Sequence, residues 1–159
     1  MLAPAPHSLA MTRIAISLAA ALLTLLPGTA SSTTSGDRER AQFEPCGASP
    51  RITCIVDGDT FWYGGTKIRM ADINTPETAQ AACAQEAALG LRAKQRLGQL
   101  LNAGPFTLEV RGRETDRYGR ALRVVTRKGE SLGARLEAEG LAEHWKGRRG
   151  NWCGASGGA

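Results

Sequence analysis

Between Arg51 and Ile73 the chain carries two strong turn signals, Asp57-Gly58 and Gly64-Gly65, so close together that only short strands fit around them. Residues 51–56 alternate towards the first turn, residues 60–63 resume as strand, and residues 66–73 form a third. The segment therefore predicts a three-stranded meander. Thr75-Pro76-Glu77 reads as a helix start, with Thr as cap, Pro in the first turn and an acid near the positive end of the dipole. The helix proper is expected from about Cys83 to Leu101, because Ala87, Leu91, Lys94, Leu97 and Leu101 recur at helical spacing. Asn102-Ala103-Gly104-Pro105 ends it. Residues 106–110 and 121–126 are strand-like, residues 131–139 predict a short helix stopped at Gly140, and 141–145 a last extended piece. Three strands, a helix, two strands and a short helix match a five-stranded Greek-key barrel of the OB type, an order that several α+β folds share.

At 159 residues and 42% hydrophobic, the chain is long enough for one domain with a core and too short for two comfortable ones. Its first 30 residues do not count towards that core. Met11-Thr12-Arg13, the apolar run from Ile14 to Leu26 and Pro27-Gly28-Thr29-Ala30 read as the three regions of a secretory signal peptide, with Met11 as the expected true start. The run is short of the roughly 20 residues that a permanent span needs, which leaves an uncleaved anchor as the alternative. Residues 31–45, rich in Ser, Thr, Gly and charge, are expected to be a flexible linker, 46–153 the folded domain and 154–159 a flexible tail.

Export changes the reading of Cys46, Cys54, Cys83 and Cys153. An even count outside the cytosol suggests disulfides, and no Cys-x-x-Cys pair points to zinc. Of the three connectivities, the favoured one joins Cys46 to Cys54 around the turn-prone Gly47-Ala48-Ser49-Pro50, and Cys83 to Cys153, tying the chain end to a helix. The short loop should contribute about 2.5 kcal/mol and the long one about 4 kcal/mol on the chain-entropy account.

The net charge of +5 is moderate, but Arg111, Arg113, Arg117, Arg120, Arg123, Arg127 and Lys128 crowd one segment, and Lys146, Arg148 and Arg149 follow. Such a stripe suits a polyanion or, equally, a solvated strand face. Asp57-Gly58-Asp59-Thr60 alone would be an ordinary turn, and Asp72, Asn74 and Glu77 alone a polar turn with a helix cap. Arg69, set among apolar neighbours, is harder to dismiss, since an unpaired buried guanidinium is costly. Gly119, between Tyr118 and Arg120, either lets the backbone approach a ligand or completes a turn. Carboxylates, an amide oxygen and two arginines are the groups that hold a hard cation beside a phosphate.

Taken in order, Val56-Asp57-Gly58-Asp59-Thr60, Ile68-Arg69, Asn74-Thr75-Pro76-Glu77 and Thr115-Asp116-Arg117-Tyr118-Gly119-Arg120-Ala121-Leu122 closely resemble the staphylococcal nuclease family. The resemblance runs from Ile52 to Trp145. It implies an α+β fold dominated by a five-stranded OB barrel, with one long and one short helix and a C-terminal helix reduced or absent. It also implies a Ca²⁺-dependent phosphodiesterase acting on DNA and RNA. Carried over by position, Arg69, Glu77 and Arg120 would be catalytic, Glu77 acting on the attacking water and both arginines on the phosphate. Asp59, Asn74 and the Thr75 carbonyl would hold the metal, with Asp57 supporting them, and Tyr118 and Arg117 would line the substrate site.

Two departures qualify the resemblance. The family pattern has an aspartate where this chain has Asn74, which removes one negative charge and predicts weaker calcium binding; Asp72, an extra acid, is a potential compensation through the local field. The third helix of the family has little chain left to form it after Trp145. His144 has no partner in the motifs and reads as an ordinary exposed or packing histidine, while Trp62, Trp145 and Trp152 are equally suited to base stacking and to packing. The resulting expectation is a secreted or periplasmic monomeric nuclease of low sequence preference, without a stable protein partner and without membrane contact beyond the signal. A nucleic-acid-binding OB module with weak or no catalysis is the alternative, and an exported barrel that binds a protein or another anion is a third.

Overall fold

The computed structural model describes residues 1–2 and 36–154, so nearly all of the expected signal peptide, the first part of the expected linker and residues 155–159 lie outside the described residues. The elements run β1 (Glu44–Pro45), β2 (Cys54–Asp57), β3 (Thr60–Tyr63), β4 (Thr66–Met70), β5 (Ile73–Asn74), α1 (Ala84–Asn102), β6 (Thr107–Glu109), β7 (Ala121–Arg127), β8 (Glu130–Ser131), α2 (Leu132–Ala138) and β9 (Glu143–His144). No helix follows α2 among the described residues. The main sheet has the order β1-β2-β3-β4-β7-β6, with β8 added to β7, and β5 pairs separately with β9.

The turns at Gly58 and at Gly64-Gly65 form as expected, and Gly64 and Gly65 both take the left-handed backbone that such a hairpin needs (φ 55° and 81°). The strand count does not match five. The third strand stops at Met70, where the Ala71 N–H turns to the Arg123 carbonyl, and the chain re-emerges as β5 against β9. Ile73 thus leaves the main sheet and pairs with His144, a non-local partner that no local pattern marks. β4 lies parallel to β7, with Arg69 opposite Leu122, and the intervening chain, α1 included, makes the crossover that a parallel pair requires.

Helix α1 runs Ala84–Asn102, within a residue of the expected Cys83 to Leu101, and does not extend back to Thr75. Its cap is Cys83, whose sulfur accepts the Glu86 N–H, and the Glu86 carboxylate reaches back to accept the Ala82 N–H at 2.7 Å. This is the reciprocal logic of a capping box, written with a sulfur. The buried face also differs from the apolar spacing. Gly90, Ala93, Leu97, Gly98, Leu100 and Leu101 face inward, whereas Leu91 is exposed. Small residues win because the sheet approaches closely: a Cβ on Gly58 would meet Ala93 Cβ at 2.6 Å. Helix α2 is capped by Ser131 and ends at Gly140, whose positive φ of 68° lets the Leu141 N–H reach the Leu136 carbonyl.

The core joins Ile55, Phe61, Ile68, Met70 and Ile73 from the sheets to Leu97 and Leu101 of α1 and Leu132 and Leu136 of α2. Phe43 belongs to it, 2% exposed, with its ring 5.7 Å from Phe61 and 6.0 Å from Phe106. Burying one such ring contributes about 2–3 kcal/mol. The linker expectation therefore fails for residues 36–45. Asp37 accepts from Thr107 Oγ1 and from the Lys128 N–H, Glu39 and Phe106 exchange backbone hydrogen bonds, and Asn102 bonds both the N–H and the carbonyl of Phe43. The buried ring of Phe43 and these hydrogen bonds together fasten the segment.

Cys46 is bonded to Cys54 and Cys83 to Cys153, with Cα separations of 4.9 and 6.0 Å. The second bridge spans 70 residues and joins the helix cap to the tail after β9.

Candidate active site

A cleft of about 750 Å³ is lined by Asp57, Asp59, Arg69, Asn74 and Glu77 together with Arg117, Tyr118 and Arg120. Residues that the sequence places in four separate motifs thus share one cavity. The sheet achieves this by pleat and register. Thr60 and Arg69 are cross-strand partners, while Phe61 and Ile68, one residue along, point into the core. A bulge between Ile55 and Asp57 shifts the register just before the turn and re-aims Asp57, which accepts a hydrogen bond from the Thr78 hydroxyl.

Asp59 is buried and fully engaged. Its Oδ1 accepts from the Thr60 hydroxyl, its Oδ2 accepts from the Thr75 N–H at 3.0 Å, and Oδ2 forms an ion pair with Arg69 Nη1 at 2.8 Å. The same Arg69 nitrogen donates to the carbonyls of Met70 and Ile73, the two ends of the break between β4 and β5. Burial lowers the Arg69 pKa, Asp59 opposes that shift, and Arg120 adds to it. The guanidinium is also 5.5 Å from the ring centroid of Trp145, which lines the cleft. Trp62 and Trp152 do not line it.

Glu77 is placed by α1. Its N–H donates to Glu86 Oε1, and the backbone of Pro76 and Glu77 packs so tightly on Gly90 that a Cβ there would lie 2.5 Å from the Glu77 carbonyl oxygen. Burial raises the Glu77 pKa, while Arg149 pulls it down through an ion pair of 2.8 Å. Glu86, Gly90 and Arg149 were not singled out from the sequence as site residues. Arg149 was marked only as part of the basic run near the chain end, and for Glu86 the Cys83-to-Glu86 spacing, a capping box if sulfur is admitted, was the local signal.

On the loop before β7, Asp116 Oδ1 accepts the N–H groups of Tyr118 and Arg120, and Oδ2 accepts from Arg120 Nε at 2.7 Å. Burial favours protonation of Asp116, but these hydrogen bonds outweigh it and hold the carboxyl below its ordinary range. Gly119, at φ 75°, lets the loop close. Tyr118 is exposed, with the guanidinium groups of Arg117 and Arg120 at 4.8 and 5.6 Å from its ring.

Three expectations change. Thr75 is buried and does not line the cleft; the contact seen is its N–H on Asp59. Asn74 donates Nδ2 to Glu143 at 3.0 Å, a partner across the β5–β9 pair. Asp72 does not line the cleft and offers the site no compensating carboxylate. It accepts from the Ser131 hydroxyl, and its Oδ2 would lie 2.7 Å from a Cβ on Gly133. His144 is exposed, 3.4 Å from Glu137 and not among the cleft residues.

Among the described residues no three Asp, Glu, His or Cys side chains converge closely enough to hold a metal ion by themselves. The donors at the cleft are nonetheless all oxygens. Asp59 and Asn74, with a backbone carbonyl and water, fit a hard cation held by little charge.

The family model described as staphylococcal nuclease homologue matches residues 67–152. The chain belongs to the staphylococcal nuclease family. Within it, the domain is similar to endonuclease YncB of Bacillus subtilis (strain 168), 39% identical over 93 residues that cover 55% of this chain and 43% of that one. The SPbeta prophage-derived endonuclease YokF of the same organism is 40% identical over 93 residues, covering 55% and 31%. Micrococcal nuclease of Shigella flexneri is 40% identical over 80 residues, covering 46% and 40%. This staphylococcal nuclease homologue matches less than half the length of each of these relatives. Its mixed sheet and two helices are consistent with the OB-like fold of the family.

Proposed function

We propose that this domain is an exported, Ca²⁺-dependent endonuclease that hydrolyses DNA and RNA phosphodiester bonds with little sequence preference. The observation that carries the reading is the convergence of one acid, Glu77, and two arginines, Arg69 and Arg120, on a cavity that also holds Asp59 and Asn74. Binding alone would not require a carboxylate beside a phosphate site. Arg69 and Arg120 grip non-bridging oxygens, in the two-pronged manner that suits guanidinium, and strengthen their hold as charge builds in the transition state. Glu77 accepts the proton of a water aligned opposite the leaving oxygen. Calcium, when held by Asp59 and Asn74 with a backbone carbonyl and water, would neutralise phosphate charge. Tyr118 and Trp145 offer exposed rings to bases or sugars.

The two disulfides support an oxidising compartment. No helix among the described residues is long and apolar enough to cross a membrane. We also read the sheet as a closed barrel, because the Glu39–Phe106 bridge links the segment before β1 to the residue before β6, the two ends of the strand order.

The test is incubation of the purified domain with plasmid and with single-stranded RNA, in calcium or in chelator, beside Glu77→Gln and Arg120→Ala. Calcium-dependent degradation lost in both variants is expected. Asn74 favours one second reading, a binding module with little catalysis. Retention of nucleic acid without cleavage at any calcium concentration would select it.

A further inference from the structure

The tail after β9 is a fitted strap that returns to the cleft. Trp145, Gly147 and Arg149 all line the cavity. The strap is fixed along its length. The Trp145 N–H donates to the Asp72 carbonyl at 2.8 Å, and Gly147 turns the chain with a φ of 78°. Gly150 presses on Glu143 so closely that a Cβ would lie 2.1 Å from Glu143 Oε1. Cys153 is then bonded to Cys83 at the start of α1, the helix whose Gly90 also supports the backbone of Glu77. Arg149 sits between these fixed points and pairs with Glu77 at 2.8 Å.

That pair does little for folding. The Arg149 side chain is 64% exposed, and exposed ion pairs contribute little stability. A planar cation delivered to the cavity that holds Arg69 and Arg120 has a better partner in an incoming phosphate, which offers paired oxygens to the guanidinium fork. Exchange of carboxylate for phosphate also frees Glu77 when substrate arrives. We propose that Arg149 is a third phosphate-binding arginine of this cleft and that the Cys83–Cys153 bridge holds it there. The inference rests on the nuclease reading and adds to it a residue from outside the four motifs, with a dependence on one disulfide.

The experiment measures binding of a fluorescein-labelled single-stranded DNA by anisotropy in chelator, across a salt series, and KM and kcat on the same strand in calcium. Arg149→Ala should weaken binding about tenfold and flatten the slope of log K against log salt by about 0.7. KM should rise in parallel. Arg149→Lys should keep the slope and recover part of the affinity, since it retains charge and loses the fork. Cys83→Ser/Cys153→Ser should match Arg149→Ala, and combining all three substitutions should add nothing further. Serine is itself a good helix cap, so the cap of α1 is retained. If that double variant nevertheless fails to fold by circular dichroism, Cys153→Ser alone replaces it: Cys83 keeps its place at the cap of α1, the strap is released, and the same loss is expected. Wild-type slope and KM in Arg149→Ala overturn the proposal, as does a faster kcat, which would mark Arg149 as a clamp on Glu77. Losses from the cysteine and arginine changes that add together overturn the role of the bridge. A wild type that neither binds nor cleaves brings down the nuclease reading and this inference with it.

Discussion

Gly90→Ala isolates how α1 sets the position of Glu77. The new methyl would stand 2.5 Å from the Glu77 carbonyl oxygen, 2.8 Å from its carbon and 2.9 Å from the Pro76 oxygen. All three are backbone atoms, so no side chain can swing aside. Ordinary contact begins at 3.4 Å, so helix and loop must separate by about 0.9 Å. Alanine in a helix interior gains about 1 kcal/mol over glycine, and overpacking costs about 1–3 kcal/mol. A net destabilisation of about 1 kcal/mol follows. If Glu77 acts as proposed, moving its carboxylate by that distance should lower kcat about ten- to a hundredfold. Gly98→Ala is the matched control on the same helix. Its Cβ would meet only the Cδ1 tip of Ile55 at 2.9 Å, which can rotate away. That variant should keep its activity and be unchanged or more stable by up to about 1 kcal/mol. Urea unfolding and single-substrate kinetics on both proteins decide the matter. Equal stabilisation of the two variants, with kcat in Gly90→Ala within twofold of wild type, would refute the reasoning.

Other outcomes follow from the same site. Asp59→Ala leaves Arg69 buried without its carboxylate partner and should cost roughly 3 kcal/mol, read as a lower urea midpoint. Asn74→Asp should tighten calcium binding in calorimetry and lower the stability of the calcium-free protein, because a second carboxylate would then face Glu143 in place of the amide donor. Asp116 has a depressed folded pKa, so its contribution is present above the unfolded value and lost as pH falls through the folded one. The stability gap between wild type and Asp116→Asn should be full at pH 7 and shrink below about pH 4. A gap that widens in acid would contradict the hydrogen-bond account.

The sequence was most legible where a physical need is local. Gly64-Gly65 marks a turn because few other residues take its left-handed backbone, and α2 is bounded by the Ser131 hydroxyl cap and the positive φ of Gly140; at Gly58 the turn instead needs a residue without a Cβ beside Ala93. Arg69 stood out because a guanidinium among apolar neighbours demands an anion, and the anion is Asp59. The strand break after Met70 was not legible, because its cause lies in the carbonyl of Arg123 and in β9, both far along the chain. Thr75-Pro76-Glu77 mimicked a helix start while the working cap used a sulfur. Partners such as Glu143 on Asn74 and Arg149 on Glu77 arise only once β5 meets β9 and the tail is bonded to α1. Spacing carries no trace of contacts made that way.

Helix α1 holds both ends of the described domain. At its start Cys83 grips the tail through Cys153, and at its end Asn102 clasps the backbone of Phe43 from both sides. Fraying from the tail therefore halts at a covalent bond, and fraying from the front halts at a pair of hydrogen bonds that copies a missing strand neighbour. The amides of α1 should then be the last to exchange with solvent, opening only when the whole domain does. The frame behind Glu77 would stay rigid with it.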